Sequence, residues 1–558
     1  MLNAQNLALY DNDCGNAVSL SASGAELDFV TFYNNTFSDN AWETDGSSVR
    51  IRNSILDHPL PEDPATFTVS CSALQQDCDG AGNIRDDPKI DPDDPFPLLL
   101  PASPCISGGD PDTTGIPRKD LAGEPRPSPE WAPPDVGAFE SERHVPEHGG
   151  SRIWVAAGGD DTWGNGSPEL PFASAQSAID IASGSDTVLI ESGSYRGSIR
   201  IEGKTLTLAS TYIIDGDSSE TENTVLLGDT SVCEPVLTLR NADSVAVLGL
   251  SLREGRGRVF YPGYTYGGAV YCENSTCYLE HVSIEDNTAD FCGGGIYALA
   301  STLRLHGVTF ENNRARLGGA LGISGSILKA AHTSIRNNTA SSGGGIYAEN
   351  LSRLMLYYSD ISSNSAEKTF LSYEKPSSVS QYGGGIYTTN TDLRLMNSLL
   401  SENHAENRGA ALAARYGNIE LLQSTIAGNT YTADSAGTLY LESQNEPVAC
   451  VNSIIWNSGG IQVRCSGSGI NISHSDLRGG VEAVLCENDN STVSVSDLLQ
   501  ADPLFEGHYS LSSSSPCRDA GTVSFTQGAY YLINYDPSDY SGTSPDLGYL
   551  GAHPEIHF

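Results

Sequence analysis

One phrase recurs along this chain and limits what it can fold into. "GGGIYALASTLRLHGVTFENN" begins at Gly293, "GGGIYAENLSRLMLYYSDISSN" at Gly343 and "GGGIYTTNTDLRLMNSLLSEN" at Gly383. An apolar anchor stands three residues before each late Asn: Ile284/Asn287, Phe310/Asn313, Ile335/Asn338, Ile361/Asn364, Leu400/Asn403, Ile426/Asn429 and Ile454/Asn457. Successive Asn lie 26, 25, 26, 39, 26 and 28 residues apart. The Gly-Gly or Gly-Ala stops keep the same step, with their one long step in the same interval. "EKTFLSYEKPSSVSQY" therefore reads as a loop inserted into one repeat, and a fixed period with insertions confined to one place is the signature of a solenoid.

Within each period, "STLRLHGVTF" places Leu303, Leu305, Val308 and Phe310 on one side with polar residues between them. Period-two alternation broken by Gly, Asn and Ser argues for short strands, and neither a Leu-rich consensus nor a helical period is present. About 25 residues per turn with three short strands suits a parallel β-helix, in which each coil pairs with the next through backbone hydrogen bonds. Gly-Gly supplies turn geometry and lets successive coils approach closely. The recurring Asn either tolerates left-handed backbone at a turn or bonds to the next coil as an internal ladder, a structural device in both cases.

The paired signals GG[AI] and [FI]xxN, covering 267 to about 457, resemble the repeats of the chlamydial polymorphic outer-membrane proteins and related bacterial surface β-helix proteins. Residues 152–198, "RIWVAAGGDDTWGNGSPELPFASAQSAIDIASGSDTVLIESGSYRG", resemble the N-terminal cap of secreted pectate-lyase-like β-helices, with a short amphipathic helix expected about Ala175 to Ala182. "DPLFEGHYSLSSSSPCRDAGT" with "SPDLGYLGA" resembles the C-terminal region of many secreted bacterial β-helix proteins. Its counterpart, "DPKIDPDDPFPLLLPASPCISGGD" with "PPDVGAFE", occurs earlier in the chain. The resemblance implies an all-β, right-handed parallel β-helix with a short capping helix in its second module.

Two copies of one ending set the organisation: 1–140 as the C-terminal part of a first β-helix module, 141–151 as a linker, and 152–558 as a complete second module. The second divides into cap 152–198, coils 199–500 and ending 501–558. The first module starts midway, without a cap. Either residues precede Met1, or a neighbouring chain covers that end and gives head-to-tail, filament-forming assembly. The first residues, "MLNAQNLALYDNDCGN", lack a basic region followed by an apolar stretch, so a removed leader or a longer parent is expected.

Composition narrows the function. A net charge of −40 over 558 residues repels nucleic acid and anionic lipid, and no run of about 20 apolar residues is long enough to span a bilayer as a helix. Twelve Cys, with no CxxC and no zinc-type spacing with His, favour disulfides in an oxidising compartment; Cys71 with Cys78 is one local pair.

No catalytic, cofactor or metal residues emerge. Asn390-Thr391-Asp392 matches the "NTD" of pectin hydrolases but falls in a repeat turn, and "RIK" is absent. The acidic stretch Arg85 to Pro95 ("RDDPKIDPDDP") could bind Ca²⁺ at most loosely. His58, His281, His306, His332 and His404 are scattered over the coils. Tyr271, Tyr297, Tyr347 and Tyr387 share one repeat position and are expected to stack, inward or on edge rather than as an outward sugar platform. Phe370 to Tyr382, in the insertion, is the expected place for a specific contact. The reading is a non-enzymatic extracellular or cell-surface structural or adhesive protein, self-associating through solenoid ends, with glycans as further partners. The alternatives are a polysaccharide lyase or glycoside hydrolase, or a non-catalytic glycan-binding module.

Overall fold

Side chains of an extended strand alternate sides, so a strand reading apolar–polar–apolar needs one dry face. The coils of this chain supply it. In the computed structural model, Ile296–Leu299, Thr302–His306 and Thr309–Glu311 form one coil, and Leu321–Ser324, Ile327–Ala331 and Ser334–Arg336 the next. The structure describes residues 2–554 apart from 15–17, 22–23, 38–41, 46–47, 61–66, 75–79, 86, 89, 92–93, 101–102, 129–131, 142–151, 162–163, 165, 261–262, 369–380 and 434–436. Equivalent strands pair in parallel: Leu303 with Leu328, Leu328 with Leu354, Leu354 with Leu393. All four leucines are buried, and the stack is the core. The fold is an all-β parallel β-helix.

The insertion leaves this register intact. Ile346 pairs with Ile386 and Tyr347 with Tyr387, so the stack keeps its register across the longer repeat. Residues 369–380, which hold most of the expected contact segment from Phe370 to Tyr382, lie outside the described residues.

The Gly-Gly stop has two separate causes. The first glycine of each pair is left-handed, as at Gly293 (φ 70°). The second is a close approach: a Cβ on Gly294 would stand 2.3 Å from the Gly319 carbonyl oxygen of the next coil. No side chain fits there without parting two coils.

The Asn takes the ladder role. Asn313 donates its amide to the Asn338 side-chain oxygen at 3.0 Å, and Asn338 repeats the bond to Asn364 at 3.0 Å. Asn364, Asn403 and Asn429 continue it, and Asn457 hands it to Gln462. The left-handed residue is the one before, such as Asn312 or Asn337. Serines form two more internal ladders that the repeat pattern did not reveal. Backbone N–H groups of Ser275, Ser301 and Ser326 donate to the hydroxyls of Ser301, Ser326 and Ser352, and those of Ser398, Ser424 and Ser453 to Ser424, Ser453 and Ser475. A small hydroxyl satisfies the buried turn N–H that the strands leave over.

By contacts the chain divides into two compact units, Met1–Ala182 and Ser183–Phe558. In the first, Leu2–Tyr10 pairs in parallel with Ala25–Tyr33, which pairs with Val49–Arg52. Leu27, Val30, Phe32, Trp42, Val49 and Ile51 pack between them. The same unit holds helix Ala175–Ile181, opened by Ser174 accepting from the Ser177 N–H, while Asp161 accepts from Ala173 and Ser174 N–H, both at 2.9 Å.

The two sequence endings fold alike. Val136 N–H donates to Cys105 carbonyl and Leu547 N–H to Cys517 carbonyl; Ser107 and Asp519 N–H donate to Asp135 and Asp546. They differ in charge. The first buries Arg126, with its guanidinium 3.9 Å above the Phe29 ring and its Nε 2.8 Å from Glu140. Burial pushes Glu140 up to about 7 and raises Asp135 well above the usual range, aided by Glu140 beside it.

The expectation of disulfides is not met among the described cysteines, ten of which are free thiols. Stacking gives the reason. Cys272 lies between Leu239 and Ala298, and Cys277 between Val245 and Leu303, so no second sulfur faces either from the next coil. Burial raises the Cys272 thiol to about 11, suppressing the reactive thiolate. Cys465 and Cys486 are register neighbours, yet both are free. Cys78, the proposed partner of Cys71, lies outside the described residues.

Candidate functional site

The outward faces of Arg353–Tyr357, Asp392–Met396 and Ile419–Leu422 carry side chains that the core does not need. Leu354, Leu393 and Ile419 point inward, which sends Arg353, Met355, Asp392, Arg394 and Glu420 out. In-register stacking then sets them in rows: Arg353 beside Asp392, Arg394 beside Glu420. Arg353 Nη2 stands 3.9 Å from Asp392 Oδ2, and Arg394 Nε donates to Glu420. Asn418 gives its backbone and side-chain N–H groups to Asp392 Oδ1 at 3.0 and 2.9 Å. Burial opposes the charge on Arg394, and its hydrogen bond and charge interaction with Glu420, joined by those with Tyr357, together outweigh it and raise its pKa.

The chain's ending folds back over this face. Ser524–Gln527 and Tyr530–Asn534 form an antiparallel hairpin, with left-handed Gly528 at its tip. Leu532, Ile533 and Tyr535 pack on Leu422, Ala449 and Val451, whose outward apolar side chains would otherwise face water. Gln527 Nε2 donates to the Pro447 carbonyl at 3.1 Å, so that face of the hairpin looks onto the coils. Tyr530 sits directly opposite Gln527 and shares its face. Between hairpin and coils lies a groove of about 670 Å³, lined by the charged rows, Glu446, Gln527, Tyr530 and Tyr531. Tyr530 and Tyr531 are 77% and 66% exposed, an unusual state for aromatic side chains.

Asp392, which sequence reading places in a turn tripeptide without chemistry, is thus a lining residue of the groove. Arg353, Arg394 and Glu420 went unnoticed because outward charges on alternating strands read as solvated faces. Their spacing by one repeat was the available signal. The two tyrosines had none, since they lie outside the repeats.

Other singled-out residues fall elsewhere. Tyr271, Tyr297, Tyr347 and Tyr387 project outward from the coil interior, yet neighbours cover them: Tyr271 and Tyr347 are buried, and Tyr266 and Tyr382 rings lie 4.9 and 6.0 Å from Tyr297 and Tyr387. The column is broken by Gly322 and Ala413, so no open platform results. His281, His306 and His332 meet edge to face in sequence, and His332 then stacks on Tyr358 and Tyr358 on His553. Among the described residues no three His, Cys, Asp or Glu are placed to hold a metal ion, the described part of 85–95 included.

Among the described residues of Ser183–Phe558, two carboxyls are shifted upward. Burial pushes Asp476 up to about 6, where Cys517 Sγ donates to it at 3.3 Å. Burial also raises Asp360, which has Arg336, His508 and Glu402 in its electrostatic surroundings. Tyr509 donates to Glu402 Oε1 at 3.3 Å.

The family description "Right handed beta helix region" matches residues 268–381, so the chain contains a right-handed β-helix region. No curated protein matches the chain. Among solved structures it is similar to a pectate lyase, Pel9A, at 12% identity and TM-score 0.40, covering 72% of this chain and 96% of that one. A rhamnogalacturonan lyase follows at 11% and 0.31, covering 62% and 87%. The GH136 lacto-N-biosidase from Eubacterium ramulus stands at 12% and 0.25, covering 62% and 67%. No helix among the described residues is long and apolar enough to cross a membrane.

Proposed function

We propose that this chain is a non-catalytic adhesive solenoid of the cell surface or extracellular space, holding glycans in the groove beneath the hairpin. The observation that carries this reading is Tyr530, an exposed aromatic on the inner side of the hairpin, facing rows of fixed donors and acceptors. Aromatic faces pack on the C–H faces of sugar rings, while hydroxyls bond to carboxylates and guanidinium groups. The floor is built on strands locked by three internal ladders, and sites on such elements hold their geometry better than sites on loops. A volume of about 670 Å³ falls within the range of small-ligand clefts. Binding of the full chain to immobilised polysaccharides, measured by biolayer interferometry beside an assay for new reducing ends, tests the reading. Retention without turnover is expected; turnover, or no retention on any glycan, sinks it.

A second reading is hydrolysis or lysis of a polysaccharide at Asp360 and Glu402. It is favoured by the raised pKa of Asp360, the behaviour of a carboxyl kept protonated to act as a general acid. Loss of measurable turnover in Asp360→Asn, with unchanged glycan retention, would establish it.

A further inference from the structure

We infer that the groove takes an uncharged oligosaccharide rather than a uronate or sulfated one, an inference that rests on the glycan-binding reading above. The charge of the lining decides it. Its cations are Arg353 and Arg394; its carboxylates are Asp392, Glu420 and Glu446, leaving one negative charge in excess. Neither guanidinium is spare, because Arg353 faces Asp392 and Arg394 is hydrogen-bonded to Glu420. A polyanion entering the groove would have to part these pairs, approach Glu446, and do so on a chain of net charge −40. Long-range repulsion and local desolvation act in the same direction.

A neutral sugar meets the opposite situation. Each hydroxyl can donate and accept at once, and each ion pair presents an N–H donor beside a carboxylate acceptor. A pair of adjacent hydroxyls can therefore bridge a pair without breaking it, donating to Asp392 or Glu420 and accepting from Arg353 or Arg394. Such bonds to charged partners are stronger than neutral ones. Tyr530, on the face that looks onto the coils, supplies the stacking surface, while Asn418 holds the Asp392 carboxylate in place.

Isothermal titration of the full chain tests this, with cello-, xylo- and galacto-oligosaccharides as neutral probes and oligogalacturonate and heparin oligosaccharide as anionic ones, at low and physiological salt. Binding of at least one neutral probe is expected, insensitive to salt, and weakened about ten-fold in Tyr530→Ala, the scale of losing one stacked ring with its buried area. Asp392→Asn removes the excess charge and frees Arg353; it should weaken the neutral probe and admit oligogalacturonate in a salt-dependent way. Preference of the native chain for an anionic probe would overturn this inference and leave glycan binding standing. Silence with every probe would remove both. Neutral binding unaltered in both variants would place the ligand elsewhere and overturn the assignment to this groove. Tyr530 is exposed and Asp392 half-buried on the outer face, so each variant should fold, which circular dichroism checks.

Discussion

Replacing Asn338 isolates what the internal ladder contributes. Its side-chain oxygen accepts from the Asn313 backbone N–H at 2.9 Å and from the Asn313 amide at 3.0 Å. Its own amide donates to Phe310 carbonyl at 3.1 Å, Arg336 carbonyl at 2.9 Å and Asn364 at 3.0 Å. Asn338→Ala removes all of these at a fully buried position, stranding at least the Asn313 N–H. A buried polar group left unpaired costs about 1–3 kcal/mol, so two to three stranded groups amount to roughly 3–5 kcal/mol. Asn338→Asp sharpens the test. The carboxylate keeps the acceptor side, but it aims negative charge at two carbonyls and the Asn364 oxygen. At neutral pH it should be at least as damaging as Ala, and acidification should relieve it because a protonated carboxyl can donate once more. Solenoid unfolding need not be two-state, so the assay is hydrogen exchange resolved on the coils around 313, 338 and 364, supported by chemical denaturation. Protection in both variants within about 0.5 kcal/mol of the native chain would refute the ladder as a source of stability, given that neutral surface changes fall in that range.

Gly344→Ala should cost more than 2 kcal/mol, about the scale of overpacking, because its Cβ would meet Gly384 carbonyl oxygen at 2.3 Å; Gly325→Ala, with nothing closer than 3.8 Å, should cost about 1 kcal/mol for its left-handed backbone alone. Thermal melts of the two variants check this. Asp476 has its folded pKa raised from 3.8 to about 6 by burial, so the native state holds the proton more tightly than the unfolded chain. Its stabilising contribution is full below the unfolded pKa and is lost as pH rises through about 6. Asp476→Asn should therefore gain up to about 3 kcal/mol on the native chain at pH 8 and little at pH 4, read from denaturation at both pH values. Arg126→Met leaves Glu140 and Asp135 buried without their cation and should destabilise the unit Met1–Ala182 by about 3–5 kcal/mol, measured by limited proteolysis. Leu2–Tyr10 pairs with Ala25–Tyr33 and no other strand among the described residues. If solenoid ends join copies, deleting residues 1–20 should abolish end-to-end rods in negative-stain electron microscopy; persisting rods would rule that edge out.

The coil, its period and much of its register were legible in the order of residues alone. Gly293-Gly294, Phe310 and Asn313 each answer a requirement that returns on every turn, namely a left-handed residue, a close approach, a core anchor and a buried bond. A requirement met locally and repeatedly leaves a periodic trace, as the Asn ladder did. Less visible were the serine ladders, because Ser301 and Ser326 look like ordinary turn residues until their burial is known. The free thiols were misread for the same reason: pairing depends on which residue stands one coil away. The groove was decided by tertiary structure alone. Asp392 and Arg394 come from one coil, Asn418 and Glu420 from the next, and Tyr530 from more than a hundred residues further along the chain. Outward positions answer to no packing requirement inside the coil, so their one-repeat spacing does not tell a lining charge from a solvated one. The apolar side chains of Leu422, Ala449 and Val451 draw the hairpin onto that face, and only this long-range burial brings Tyr530 over the charged rows.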